Sequence, residues 1–383
     1  MKILFFANSD WYLYHFGLAL IQSVRAGGHE VVLVSPPGEY VPRLQEAGFR
    51  WVCLPLKRSG VNPLGECLAV LGVIRLCCRE KPDLVHHYTL KCALYGSLAA
   101  HFAGIRAVVN AITGVGYLYL TKDFKARVLR PFVTLLCRVG FRNTEVIFQN
   151  PDDRQMFIRH RIVSEENSRL IGGSGVDTNR FAPSAQASGV PIVLMAGRML
   201  WDKGVGEFVE AARRLKRDGL QARFVLVGGC DPENPGAVPP ESLEEWTKTG
   251  AVEWWGLRED MPVVFSQAHI VCLPSYYGEG VPTVLIEAAA SGRAIVTTDM
   301  PGCREVVRHG ENGLLVPPRD PEALAQAIAV LLKDPALRAR MGAGGREIAV
   351  QEFSEERVVR ETLALYRELL GAKWPTAAGM PAS

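Results

Sequence analysis

Twice along this chain, short runs of continuously apolar residues alternate with longer stretches of helical periodicity. The first series of runs is Ile3–Ala7, Val31–Ser35, Trp51–Leu54, Leu84–His87, Ala107–Ala111 and Val146–Gln149. The second is Pro191–Ala196, Phe224–Val227, Val252–Trp255, Ile270–Leu273, Ala294–Thr297 and Leu314–Val316. A strand that is apolar on both faces must be covered on both faces, which is the condition of a parallel sheet between helix layers. Helical stretches such as 16–26, 63–80 and 93–103 lie between the runs and supply the cover. Two series therefore predict two doubly wound α/β domains. The length of 383 residues agrees, because a single core stops growing near about 250–300 residues.

The spacing places one domain over 1–175 and the other over 186–353. Between them runs a joint of small, turn-forming residues, from Gly172-Gly173-Ser174-Gly175 to Pro183-Ser184-Ala185. An amphipathic helix over 354–371 follows the second series and is expected to cross back to the first domain. No run approaches the roughly 20 apolar residues that span a bilayer. The apolar start, Met1 to Ala7, is short for a signal peptide and reads as a buried strand. Nine cysteines, an odd number without a C-x-x-C pair, suit free thiols in a reducing cytoplasm and argue against a metal site. Charge is uneven: residues 1–185 hold 22 Lys and Arg against 14 Asp and Glu, and residues 186–383 hold 21 against 26. A basic first half points to an anionic partner on that side.

Ligands of open α/β sheets bind beyond the carboxyl ends of the strands, and a cleft between two domains is the expected site. After the first run of the second series comes Gly197-Arg198-Met199-Leu200-Trp201-Asp202-Lys203-Gly204, then a helical stretch. Two cations beside the amides of a helix start suit a diphosphate. A solvated loop with a Lys203–Asp202 pair is the competing reading. After Ile270–Leu273, Glu279 stands on a glycine-flanked loop, and Glu287 lies in an apolar helical run that Pro282 can start. A lone glutamate on a helix is ordinarily a surface residue. Inside an apolar run, however, a carboxylate is costly to bury unless it is paired. Carboxylates repel phosphate and accept hydrogen bonds, so sugar hydroxyls are their natural partners. The backbone of Gly280-Val281-Pro282-Thr283 can meanwhile face phosphate oxygens. Sugar, diphosphate and a second sugar together describe a sugar nucleotide.

The segment from Glu279 to Glu287, with Pro274-Ser275 before it and Pro301-Gly302-Cys303-Arg304-Glu305-Val306-Val307 and Gly310-Glu311-Asn312-Gly313-Leu314-Leu315-Val316 after it, resembles the donor-binding signature of retaining glycosyltransferases of family 4. The resemblance implies the GT-B fold, an α/β architecture of two Rossmann-like domains facing across a cleft. It implies that Arg198, Lys203 and Glu279 are catalytic, the two cations acting on the donor diphosphate. Gly197, Gly256, Leu257, Arg258, Gly280, Val281, Pro282, Thr283 and Glu287 would bind a UDP-sugar donor, with no metal or other cofactor. The pattern is similar to bacterial enzymes that extend undecaprenyl-diphosphate-linked saccharides or O-antigen units with N-acetylhexosamines. The implied partners are then a UDP-sugar, a lipid-linked saccharide acceptor and the anionic inner-membrane surface, without nucleic acid.

The first domain departs from the family pattern. Its first loop, Asn8 to Phe16, lacks the Gly-Gly pair of many members, and Thr113 with Gly114 stands where many have a His-Gly step. His15, His87, Lys91, Thr113 and Gly114 are the candidates there for contact with acceptor or sugar. His15 reads equally as a half-buried helix-start residue, and one of His86 and His87 as structural. Asp152 and Asp153 after Pro151 read as a helix cap. Residues 121–142 carry Lys122, Lys125, Arg127, Arg130, Arg138 and Arg142 against Asp123, interleaved with apolar residues. Such a helix can lie on an anionic membrane; an ordinary helix with a solvated basic face is the alternative.

Three other functions compete. A GT-B sugar-nucleotide epimerase needs acid/base residues and no acceptor. A nicotinamide dehydrogenase needs a G-x-G-x-x-G after its first strand, which is missing. A non-catalytic sugar-nucleotide-binding partner would tolerate the altered His-Gly step. No residue stands out as a nucleophile for double displacement, so front-face attack is the expected route.

Overall fold

The computed structural model describes residues 1–56, 63–114, 124–186, 188–232 and 234–374, with the backbone alone at 63, 64 and 124–126. The chain divides into two units. One is Met1–Ser174 with the chain from Glu356 onward; the other is Gly175–Glu355. The first holds a parallel sheet of β1 (Lys2–Phe6), β2 (Glu30–Ser35), β3 (Arg50–Cys53), β4 (Leu84–Tyr88), β5 (Ala107–Ile112), β6 (Glu145–Phe148) and β7 (Ser168–Leu170). Its order is β3-β2-β1-β4-β5-β6-β7. The second holds β8 (Ile192–Ala196), β9 (Arg223–Val227), β10 (Glu253–Trp254), β11 (Ile270–Leu273), β12 (Ala294–Thr298) and β13 (Gly313–Val316), in the order β10-β9-β8-β11-β12-β13.

The apolar runs and the strands coincide to within a residue or two. The unforeseen strand is β7, where only Ser168 is buried. At the sheet edge two of its three residues are exposed, so it leaves no apolar run. In both sheets the order reverses beside the first strand, between β1 and β4 and between β8 and β11. That reversal opens a crevice at the carboxyl ends, where loops diverge to opposite faces.

The last helix, Glu355–Leu370, packs into the first unit. Leu365, Tyr366 and Leu370 are buried there with Ile3, Phe5 and Leu84. The joint is not a loose linker. Val176 and Phe181 are buried in the core of the second unit. Arg346 Nη1 donates to the carbonyls of Thr178 (2.8 Å), Phe181 (3.1 Å) and Ala290 (3.0 Å). The two strands of chain that leave the second unit are bonded to each other, Val176 N to Phe353 O at 2.9 Å and Glu355 N to Val176 O at 3.0 Å. Gly175, with φ +81°, is required at that crossing, since a Cβ would lie 2.7 Å from Glu355 Cα.

Two local expectations are corrected. The cap of the helix Pro151–Arg159 is Asn150, whose side chain accepts from Asp153 N at 2.8 Å; Asp152 and Asp153 form the first turn. Pro282 is extended (ψ 114°) and stands one residue before the helix Thr283–Ala290, so it caps the helix instead of beginning it.

Candidate functional site

The loops after β8 and β11 meet at the switch point of the second sheet. After β8 the chain makes a short 3-10 turn, Trp201–Lys203, then enters the helix Val205–Arg217 through Gly204. Gly204 takes φ +82°, and a Cβ there would run into the Pro274 carbonyl at the end of β11. Only glycine lets the two loops come this close. The Asp202 carbonyl then accepts from Tyr276 N at 3.0 Å and from Ser275 Oγ at 3.2 Å. Thr298, at the end of β12, donates its hydroxyl to the Ser275 carbonyl. Gly302, with φ +81°, leaves room for the Gly280 carbonyl. The loop bearing Glu279 is thus fixed from the two neighbouring strand ends, those of β8 and β12.

This scaffold brings Lys203 and Glu279 together, with Lys203 Nζ 2.5 Å from Glu279 Oε2. Their side chains are only 17% and 12% exposed, so the pair is largely withdrawn from water. The sequence reading assigned the two to different parts of a ligand; here they are each other's partner. Lys203 thus bonds Glu279, 76 residues away, and not Asp202, its neighbour in sequence. Asp202 Oδ1 is buried without a hydrogen-bond partner. Burial pushes that carboxyl up, and the Lys203 charge opposes the shift. Arg198, half exposed, pairs with Asp231 at 2.8 Å. Asp231 was missed in the sequence, although Gly228-Gly229 directly after β9 marks a strand-end loop of the same kind.

Glu287 lies on the fifth residue of its helix and is half-buried. Burial pushes its carboxyl up to about 8, against the pull of Arg180. Gly197, with φ +149°, and Gly228 are side by side, because a Cβ on Gly228 would strike the Gly197 carbonyl. Gly256 O accepts from Gly228 N at 2.8 Å, which brings the loop after β10 to the same edge. Leu257 is exposed there, and Arg258 is held by Asp260 through two bonds of 2.7 and 2.5 Å. Val281 is buried, and Gly280 to Thr283 lead into the helix carrying Glu287.

In the first unit the candidates separate. His15 is exposed in a π-helical turn, Leu13–Gly17, beyond β1. Thr113 and Gly114 directly follow β5 at the same carboxyl edge; residues 115–117 of the altered His-Gly stretch lie outside the described residues. His87 lies within a strand, as the fourth residue of β4, and is 1% exposed. Its Nδ1 lies 2.8 Å from Asn110 Oδ1, and its ring fills the space that a Cβ on Gly96 would take. Burial pulls it down to about 4, so it stays neutral. His86 on the opposite face is equally enclosed, bonded to the Tyr366 hydroxyl. Both histidines are core residues, and His87 is withdrawn as a ligand contact. Lys91 is paired with Glu66 at 2.8 Å. In the basic helix, Lys122 and the side chain of Lys125 lie outside the described residues, Arg127 is exposed and Arg130 is half-buried.

Two family models cover most of the chain: one described as glycosyl transferase 4-like, over residues 2–150, and one as glycosyl transferases group 1, over residues 190–334. The N,N'-diacetylbacillosaminyl-diphospho-undecaprenol alpha-1,3-N-acetylgalactosaminyltransferase of Campylobacter jejuni is 30% identical, over 97% of this chain and 99% of its own. The protein is a family 4 glycosyltransferase. Its fold is that of GT-B structures. Sucrose-phosphate synthase from Thermosynechococcus elongatus superposes with a TM-score of 0.80 at 22% identity, covering 97% of this glycosyltransferase and all of that chain. Anabaena HepE, crystallised in complex with UDP, superposes with a TM-score of 0.75 at 20% identity, over 96% and 100% of the two chains. The glycosyltransferase thus carries its ion-paired strand-end loops on the second of two Rossmann-like sheets.

Proposed function

We propose that this glycosyltransferase moves a sugar, an N-acetylhexosamine, from a UDP-sugar to a saccharide carried on a lipid diphosphate, with retention and without a metal. The observation that carries the reading is the full-length likeness to a relative named for transfer to a diphospho-undecaprenol-linked sugar. A second relative, from Escherichia coli and 22% identical, is named for UDP-Gal and a diphosphoundecaprenol acceptor. The Lys203 ammonium has three N–H donors, and Glu279 uses one. The others, with the Arg198 fork, suit a departing diphosphate, whose growing charge is best stabilised by donors already in place. Glu279 orients sugar hydroxyls. The acceptor hydroxyl attacks from the side the diphosphate leaves, and a phosphate oxygen takes its proton. A screen of UDP-sugars against a lipid-diphosphate-linked acceptor, with the linkage read by NMR, tests this. A β-linked product from an α-linked donor overturns retention.

Glu287 holds the ribose hydroxyls of the nucleotide in this reading, and its raised carboxyl gives a pH signature. A carboxyl pushed up to about 8 is mostly protonated at neutral pH. Two hydroxyl donors select the ionised form, so UDP binding releases a proton. Affinity therefore rises with pH up to about 8 and then levels. Titration calorimetry of UDP in buffers of different ionisation heat will show proton release in the wild type and less in Glu287→Gln. Equal release in both removes Glu287 from the ribose.

The protein works at a membrane surface in this reading, although no helix of the described residues is long and apolar enough to cross one. On the helix Phe124–Gly140, Val128, Phe132, Leu135 and Val139 are more than half exposed and recur at the spacing of one helix face. Arg127, Arg138 and Arg142 are exposed around that stripe. Apolar insertion plus basic flanks suits anionic lipid. In sedimentation with vesicles, Phe132→Ser/Leu135→Ser will lose binding to anionic vesicles that the wild type retains. Wild-type binding that ignores lipid charge counts against the assignment.

A further inference from the structure

The loop after β1 builds a second surface. Asp10 is buried, and its carboxylate accepts from three backbone amides: Oδ1 from Trp11 N at 2.9 Å, and Oδ2 from Tyr40 N at 2.7 Å and Val41 N at 3.1 Å. One side chain thereby locks the loop after β1 to the loop after β2. Gly38 cannot carry a side chain, because its Cβ would enter the Asp10 carboxylate. Ser9 Oγ accepts from Tyr12 N at 3.2 Å and begins the helical turn. The chain then widens into the π-turn Leu13–Gly17, a rare geometry that marks functional positions.

The turn sets the His15 ring among Trp11 (4.9 Å between centroids), Tyr14 (5.2 Å) and Tyr40 (4.8 Å). Trp11 is 45% exposed although it also rests on Phe16 at 5.0 Å. Behind them the Arg43 guanidinium lies 5.1 Å from the Tyr40 ring and 5.7 Å from that of Tyr14. We infer that this aromatic shelf is the binding face for the acceptor's sugar ring, with Arg43 toward the diphosphate that carries it; the inference rests on the acceptor class proposed above. The C–H face of a pyranose lies flat on an indole ring, while imidazole and phenol edges meet its hydroxyls. A guanidinium matches phosphate oxygens and is held in register by the rings beneath it. The shelf lies at the carboxyl edge of β1, the switch point of the first sheet, where an open α/β sheet takes its ligand.

The test uses the full chain, a UDP-sugar that it accepts and an N-acetylhexosamine on a short, water-soluble prenyl diphosphate. Trp11→Ala will raise the acceptor KM about tenfold or more. It will leave donor KM and the slow hydrolysis of UDP-sugar unchanged, and Trp11→Phe will recover most of the loss. In saturation-transfer NMR the acceptor's ring protons will respond with the wild type and not with Trp11→Ala. Unchanged acceptor KM in a folded Trp11→Ala variant, or equal losses for donor and acceptor, overturns the shelf alone. A wild type that binds the donor yet transfers nothing to any lipid-diphosphate acceptor overturns the proposed acceptor class, and the shelf with it.

Discussion

Replacing Lys203 by alanine will cut turnover by about 10²–10³-fold, the usual loss when one preorganised donor to a developing oxyanion is removed. The expected site of that loss is the departing diphosphate. Donor KM should change far less, because the interaction grows as charge accumulates on the leaving group. The structure adds a second consequence. Lys203 is the 2.5 Å partner of Glu279, and both are more than four-fifths withdrawn from solvent. Removing the cation takes the ion-pair partner from a largely buried carboxylate beside Asp202, whose own carboxyl is already pushed up by burial. That costs about 1–3 kcal/mol of stability. The double variant Lys203→Ala/Glu279→Gln removes that buried negative charge as well and should regain melting temperature without regaining turnover. Single-turnover kinetics with thermal melts separate the two effects. Near-normal transfer by Lys203→Ala sinks the diphosphate assignment.

A chain ending at Glu355 will fail to fold its first unit. The deletion removes Leu365, Tyr366 and Leu370 from the core they share with β1 and β4. Each large apolar side chain contributes about 1.5–3 kcal/mol by burial. Three of them are comparable with the whole stability of a domain, about 5–15 kcal/mol. The loss also leaves His86 without the Tyr366 hydroxyl it bonds. The second unit contains every residue of its own two core layers within 175–355. Calorimetry of the truncated chain should therefore show the transition of the second unit alone. Retention of the full unfolding enthalpy contradicts this account.

The fold was legible because a parallel sheet leaves a one-dimensional record: each covered strand is an apolar run. β7 escaped for the complementary reason, being short and mostly exposed. The loops of the candidate site were legible because they follow strands, but their pairings were not. Lys203 and Glu279 are 76 residues apart, and Arg198 and Asp231 are 33 apart; strand order alone brings them together. His87 misled because a polar residue at the end of an apolar run suggests the mouth of a strand-end loop. The ladder instead continues to Tyr88, and Asn110 on the neighbouring strand satisfies the ring. The aromatic shelf was invisible for a similar reason. Trp11 and Tyr40 both reach His15 only because β1 and β2 are adjacent and Asp10 bonds both loops.

The helix that completes the first unit, Glu355–Leu370, leaves the ribosome only after the whole of the second unit. Domains commonly fold in the order in which they are synthesised. Here that order is reversed for completion: the second unit has all of its core once residue 355 has emerged, while β1, made first, still lacks Tyr366 and Leu370 against it. The nascent first unit must wait, open on one face, through the synthesis of about half the protein. A chain cut by premature termination or by proteolysis between residue 355 and this helix's core residues therefore carries a finished second unit and an unfinished first one. The helix Glu355–Leu370 makes synthesis of the second unit a condition for completing the first.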